Sequence, residues 1–206
     1  AMGSLPALWR DVGSYCGLFQ DAALKAGCLA EGVEPSRWAA GVARAKGHTV
    51  HEGPFPKALP EGLSFNALSA LDVIEHVDDP RGFLTAASKA LRPGGLLVLV
   101  TPDIESPTSK LLGAKWWHLR HAHVHFFSKD TLTRLLHECD FEVLAIKRYT
   151  WCFSLRYWIS RLEGLKPVRA LLAWADASPA LAKIMKTPVS INFFDSLEIY
   201  ARKTEK

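Results

Sequence analysis

Histidines and acids are the side chains of this 206-residue chain best equipped for chemistry, and they are clustered. A neutral imidazole is the natural general base near pH 7. His76 stands four residues after Asp72, just beyond an apolar run, where the rim of a buried strand is expected. His118, His121, His123 and His125 crowd a second segment. If His121-Ala-His-Val-His125 is extended, its three imidazoles share one face, a geometry suited to a metal, although no carboxylate or cysteine completes the set in sequence. A pocket or general-base role for His123 or His125 and plain structural hydrogen bonding are the other readings. Glu34 closes the segment Cys28-Leu-Ala-Glu-Gly-Val-Glu34, which reads as a strand with an acid at its tip. Such a carboxylate accepts two hydrogen bonds from the vicinal hydroxyls of a ribose. Gly13 precedes it by the interval of about 20 residues that a nucleoside-binding β-α-β unit requires.

The elements that must position these groups are legible in the pattern. Ala67 to Leu71 is continuously apolar, as a strand buried on both faces should be, and ends at Asp72. Asp79 and Pro80 open a helix as N-cap and first residue, with Phe83, Leu84, Ala87 and Leu91 at helical spacing. Pro93-Gly94-Gly95 stops it, and Leu96 to Val100 is an aliphatic strand closed by Thr101-Pro102. This β-α-β unit carries a right-handed crossover. Around it the spacing predicts a helix from Gly17 to Gly27, a helix over Arg37 to Lys46 begun by Ser36, a short strand over His48 to Glu52, and a turn at Gly53-Pro-Phe-Pro56. Ser128 caps a helix through Leu132, Leu135 and Leu136. Phe141 to Ile146 and Leu197 to Arg202 are the last two strands.

Asp72-Val-Ile-Glu-His-Val-Asp-Asp-Pro80 with Leu91-Arg-Pro-Gly-Gly95 resembles the fourth to fifth strand of class I S-adenosylmethionine-dependent methyltransferases, especially the bacterial group that includes the ubiquinone-type O-methyltransferases. The resemblance continues through Trp117-His118, His123-Val-His-Phe-Phe-Ser128, Thr131-Leu132 and Phe141-Glu-Val143, and covers about residues 8 to 150 plus the last strand. It implies an α/β fold: a Rossmann-like, seven-stranded, mostly parallel sheet in the order 3-2-1-4-5-7-6, helices on both faces, and a helical lid inserted before the last strand over residues 151–190. The whole chain, 1–206, is then one methyltransferase domain. Asp11-Val-Gly-Ser-Tyr-Cys-Gly17 aligns with the cofactor loop of that family. By the resemblance Asp11, Gly13, Ser14, Gly17, Glu34 and Pro35 surround the methionine and ribose of S-adenosylmethionine, while Leu71 and Asp72 lie near the transferred methyl group. Phe55 follows the third strand where the family places the adenine; it either stacks on the base or anchors the core. Tyr15 stands where the family has its middle glycine, and Arg10 where the end of a buried first strand should be apolar.

The implied reaction is in-line methyl transfer to a small-molecule acceptor, an oxygen by family analogy, leaving S-adenosylhomocysteine. His76 is the first candidate base and His123 or His125 the second; a helix-capping or structural role for His76 is the other reading. Trp116 and Trp117 line the same loop. A nicotinamide enzyme lacks support because positions 18–20 are Leu, Phe and Gln, so the pyrophosphate fingerprint is incomplete. A non-catalytic binding module that keeps the fold is the rival from another class, and Tyr15, Arg10 and the short amino terminus favour it.

Composition is that of an ordinary globular domain, 49% apolar and 22% charged. Cys16, Cys28, Cys139 and Cys152 show no paired metal spacing, which fits a reducing cytoplasm. No apolar run reaches the about 18 residues needed to span a bilayer, and no secretory leader is visible. Ala1-Met-Gly-Ser4 reads as a cloning remnant, which would leave the natural chain without the leader helices that help close the pocket in this family. Between Trp151 and Thr187 six basic residues face only Glu163 and Asp176, an excess equal to the formal net charge of +4. With Trp158 and Trp174 at near-helical spacing, the segment suits either lid helices or contact with a membrane surface or lipid substrate. A charge this small does not imply a phosphate-tracking surface, and no nucleic-acid recognition motif is present, so a nucleic-acid partner is not expected.

Overall fold

Segments with two apolar faces to bury have become the interior strands of one sheet. The computed structural model describes residues 8–59, 62, 64–161, 164 and 166–205; residues 1–4, read above as a cloning remnant, lie outside them. The strands are β1 (Leu8–Val12), β2 (Leu29–Glu34), β3 (Val50–Glu52), β4 (Phe65–Leu71), β5 (Leu91–Pro102), β6 (Phe141–Arg148), β7 (Trp151–Ser154), β8 (Pro188–Ile191) and β9 (Ser196–Lys203). Seven of them form a sheet in the order β3-β2-β1-β4-β5-β9-β6. β9 runs antiparallel between β5 and β6, and the other pairings are parallel. The expected strand order is therefore present, its last strand carrying the number nine because β7 and β8 form a separate pair. β1 pairs with both β2 and β4, so the winding reverses there and opens a crevice at the carboxyl ends of these strands.

The helices are α1 (Leu18–Lys25), α2 (Arg37–Ala45), α3 (Pro80–Ala90), α4 (Pro107–Leu112), α5 (Lys129–Glu138), α6 (Leu155–Ser160), α7 (Lys166–Ala177) and α8 (Pro179–Met185). Asp79 caps α3 by accepting a hydrogen bond from Gly82 N at 2.9 Å, with Pro80 in the first turn. α3 stops earlier than Pro93: Leu91 is already extended and pairs with Phe65 as the first residue of β5. The register then jumps to Ala67 opposite Leu96, so Arg92 to Gly95 leave the ladder as a bulge. Gly94 adopts φ +73°, and a Cβ on Gly95 would lie 2.8 Å from Arg92 O. A Ser128–Thr131 capping box starts α5, whose Leu132 and Leu136 are fully buried beside Leu84, Leu99 and Phe141. Leu84→Ala is expected to lower stability by about 3–5 kcal/mol, read as a reduced urea midpoint at unchanged slope.

Arg10 is fully buried on β1 after all. Its Nη2 lies 2.8 Å from Glu31 Oε2 on β2, and the guanidinium sits 4.2 Å from the centre of the Phe65 ring. Glu31 also meets His51 Nε2 at 3.0 Å. Burial lowers the Arg10 pKa, against which the Glu31 charge acts. The misfit anticipated at this position is thus resolved by an ion pair and a ring face rather than by an apolar neighbour.

Residues 149–194 form a second compact unit. The segment was expected to be helical, but Trp151, Cys152 and Phe153 join Val189, Ser190 and Ile191 in an antiparallel pair alongside α6, α7 and α8. Aromatic and β-branched residues favour the pleated surface, and Trp151 stacks on Phe153 at 5.8 Å. Trp158 donates its indole N–H to Val189 O at 3.0 Å. Leu171, Trp174 and Ile184 remain exposed on this unit. Among the described residues no helix is long and apolar enough to cross a membrane.

Candidate functional site

The turn after β1 is built on two glycines. Gly13 has φ +73°, and a Cβ there would lie 2.6 Å from Val73 Cγ2. Gly17, at φ +81° before α1, would meet His48 Cδ2 at 2.6 Å. Gly13 N and Ser14 N both donate to Val33 O, at 2.9 and 3.2 Å, which fastens the turn to β2. The Ser14 hydroxyl faces inward, because a Cβ on Gly32 would lie 2.3 Å from it; Gly32, a glycine inside a strand, was the signal for this close approach. Asp11 is buried on β1 and accepts a hydrogen bond from Ser69 Oγ at 2.7 Å. Burial pushes its carboxyl up to about 7, with the Ser69 hydroxyl opposing.

Glu34 ends β2 with 6% exposure. Its Oε2 accepts from Tyr15 N at 2.8 Å and its Oε1 from Ser36 N at 2.7 Å, so the carboxylate is fixed between the glycine turn and the start of α2. Pro35 is exposed beside it. Tyr15 resolves its conflict with the glycine position by taking φ +46° and pointing its ring outward against Trp38, 6.0 Å between centres. Phe55 packs on Phe83 of α3 at 5.1 Å and borders the core, which is the anchoring use of that ring. Leu71 is half-buried at the end of β4. Asp72 follows at φ +53°, donating its N–H to Val100 O at 2.9 Å. Asp72 Oδ1 is buried without a protein partner.

Beyond Asp72 the chain gathers a second group of side chains. The Glu75 carboxylate is 1% exposed; Oε2 accepts from Thr101 Oγ1 at 3.0 Å, and Oε1 has no protein partner. His76 is exposed, and its Nδ1 lies 2.7 Å from Ala122 O. A carbonyl only accepts, so in the neutral ring Nδ1 carries the proton and Nε2 keeps the lone pair. His123 is edge-on to His76 at 4.6 Å and stacked on His118 at 5.8 Å. His118 Nε2 lies 3.2 Å from Asp195 Oδ2, on a fully buried carboxylate. One atom each of Glu75, His76 and His123 lie within 4.8 Å of one another, a donor set that fits a divalent cation.

The shared face expected for His121, His123 and His125 is not formed. Val124 N and His125 N both donate to Glu75 O, at 2.9 and 3.1 Å, which turns the segment. His123 points to His76, His121 is exposed, and His125 Nε2 lies 3.3 Å from Asp78 O. Glu75 and Asp195 were missed. The first stood inside the motif without an assigned role; the second comes from a distant segment that no local spacing reveals.

Burial, then the Glu75 charge, raises the Asp72 carboxyl to about 7; burial also raises Glu75 to about 7. His123 is lowered to about 4 by burial first and by the positive charges of His76, His118 and Arg120. The folded chain thus holds protons on Asp11, Asp72 and Glu75 more tightly than the unfolded chain. Their stabilisation is complete below about pH 4 and is lost as pH rises through about 7. His123 works oppositely: its contribution is complete above about pH 6.5 and is lost as pH falls towards 4. The melting temperature of the ligand-free chain is expected to climb as pH falls from about 8 towards about 4, because the three raised carboxyls outweigh the single lowered His123. A flat thermal profile across that range would contradict these protonation states.

A family model described as a methyltransferase domain matches residues 6–146. Among curated proteins, a ubiquinone biosynthesis O-methyltransferase of Idiomarina loihiensis is 29% identical over 153 residues, 66% of this chain and 62% of that protein. One from Rhizobium rhizogenes is 33% identical over 97 residues, 44% of this chain and 39% of its own length. The chain thus spans between 39% and 62% of the curated relatives it matches. Of solved structures, a putative methyltransferase from Bacillus halodurans superposes with a TM-score of 0.62 at 18% identity, covering 99% of this chain and 95% of the other. Magnesium protoporphyrin IX methyltransferase from Synechocystis, with bound SAH, gives 0.62 at 13% identity, covering 97% and 75%. At these identities the likeness is one of fold.

Proposed function

The chain belongs to the methyltransferase-domain family, and from that premise we propose that it transfers the methyl group of S-adenosylmethionine to an oxygen of a small molecule, releasing S-adenosylhomocysteine. The observation that carries this reading is the Glu34 carboxylate, fixed by Tyr15 N and Ser36 N at the carboxyl ends of β1 and β2, beside a turn that only glycines allow at Gly13 and Gly17. The residues fit the cofactor: each Glu34 oxygen keeps a lone pair for a ribose hydroxyl, and Asp72 Oδ1 is a buried acceptor without a protein partner.

When bound, the cofactor supplies an electrophilic methyl carbon on a sulfonium. Glu34 would hold the ribose, the turn from Gly13 to Gly17 would admit the amino-acid end, and Asp72 would serve the end that carries the methyl group. His76 Nε2, its tautomer set by Ala122 O, takes the proton of the acceptor hydroxyl. His123, kept neutral by its surroundings, is the alternative base. His125, turned to Asp78 O, no longer stands among them. The oxygen acceptor rests on the names of the curated relatives, and the exposed Trp174, Leu171 and Ile184 among basic residues of 149–194 support a lipid-like acceptor or membrane-surface contact. Four free cysteines support a reducing, cytoplasmic setting.

A second reading adds a divalent cation, favoured by the convergence of Glu75, His76 and His123. Glu75, His76 and His123 would then hold the ion, which would lower the pKa of the acceptor hydroxyl in place of an imidazole taking its proton. Methyl-tritiated S-adenosylmethionine incubated with a panel of phenols, catechols and lipid-like alcohols tests both. Label in an oxygen-linked product supports transfer, and no label in any acceptor counts against it. Loss of transfer with a chelator, restored by zinc or magnesium, selects the second reading.

A further inference from the structure

At the cofactor rim Tyr15 is the residue that the family resemblance leaves unexplained. Tyr15 sits at φ +46°, in the left-handed region where a bulky residue is rare. Its ring is 56% exposed and rests on that of Trp38, 66% exposed, with centres 6.0 Å apart and planes tilted by 59°. Neither ring belongs to the hydrophobic core. Each projects from beside one of the two donors that grip Glu34: Tyr15 supplies one amide, and Trp38 follows Ser36, which supplies the other. The ring contact therefore links the glycine turn to the first turn of α2, the two segments whose amides hold the carboxylate to which the ribose is assigned. Strain held at such a place points to function.

Resting on the reading of Glu34 proposed above, we infer that Tyr15 and Trp38 form an aromatic clasp that closes over the ribose end of the bound nucleoside and slows its release. They are positioning residues: they touch no reacting atom, and the adenosyl group gains apolar cover on the side that faces water. The two rings rest on each other, so each depends on the other to stay in place. Tyr15 thus does what a glycine at this position cannot, while its backbone N–H still serves Glu34.

The test is the dissociation rate of S-adenosylhomocysteine from the immobilised full-length chain, measured by surface plasmon resonance. Tyr15→Gly and Trp38→Ala are each expected to release it about tenfold faster, and the double variant no faster than either single one, because the pair acts as a unit. Tyr15→Phe and Trp38→Phe, which keep a ring, should release at the wild-type rate. Tyr15→Gly should melt at or above the wild-type temperature, since glycine accepts the positive φ without strain; faster release then owes nothing to unfolding. Wild-type rates in either single variant, or fully additive effects in the double, overturn the clasp. A wild-type chain that binds no S-adenosylhomocysteine overturns the Glu34 reading as well; one that binds, with variants that release at its rate, overturns the clasp alone.

Discussion

Glu34→Ala is expected to weaken S-adenosylmethionine binding by about 10²- to 10⁴-fold. Two hydrogen bonds from a ribose diol to a carboxylate contribute about 1.5–3 kcal/mol each, and every 1.4 kcal/mol is roughly tenfold in affinity. The alanine also leaves Tyr15 N and Ser36 N without their acceptor, so the turn loses its tie to the tip of β2. Glu34→Gln should fall between, because its amide keeps one acceptor but sets an NH₂ against a backbone N–H. Calorimetric titration reads the loss, and an unchanged circular dichroism spectrum separates it from unfolding. Affinity within about threefold of wild type in Glu34→Ala would place the ribose elsewhere.

His76→Ala is expected to lower kcat by about 10²- to 10⁴-fold with cofactor affinity unchanged, the range for removing a positioned general base. The pattern around it separates the two readings of the cluster. If His76 Nε2 is the base, Glu75→Gln leaves most of the rate. If Glu75, His76 and His123 share a cation, all three substitutions cost comparable activity, and added metal partly restores the histidine variants. Once an acceptor is known, single-turnover kinetics measure the effect. A kcat within about twofold of wild type in His76→Ala would remove the residue from both readings.

The frame of the molecule was legible because its punctuation is local. Asp79-Pro80, Ser128 and the aliphatic run before Thr101 each act through their own neighbours, whereas the strand order came from the family resemblance. Of the candidate site, the glycine turn and the acid at the tip of β2 were equally visible. What escaped depends on partners distant in sequence. Arg10 looked out of place until Glu31 and Phe65 supplied a counter-charge and a ring face, and Tyr15 until its backbone turned left-handed. Both were among the sequence features that favoured an inactive relative; in the fold Arg10 is paired with Glu31, and the Tyr15 ring points out of the glycine turn against Trp38. Phe55 found Phe83, and His125 found Asp78, through contacts that periodicity does not encode. Asp195 reaches His118 from the segment before the last strand. The paired strands β7 and β8 were hidden because Trp151 to Phe153 reads equally well as the start of an aromatic helix.

Calorimetric titration of the full-length wild-type chain with S-adenosylhomocysteine asks whether the tips of β1, β2 and β4 hold an adenosyl thioether. Binding at one site with a Kd on the order of micromolar, and no heat with NAD, is the predicted result. No detectable heat with S-adenosylhomocysteine up to about 1 mM, a concentration corresponding to about −4.1 kcal/mol of binding energy, would contradict it.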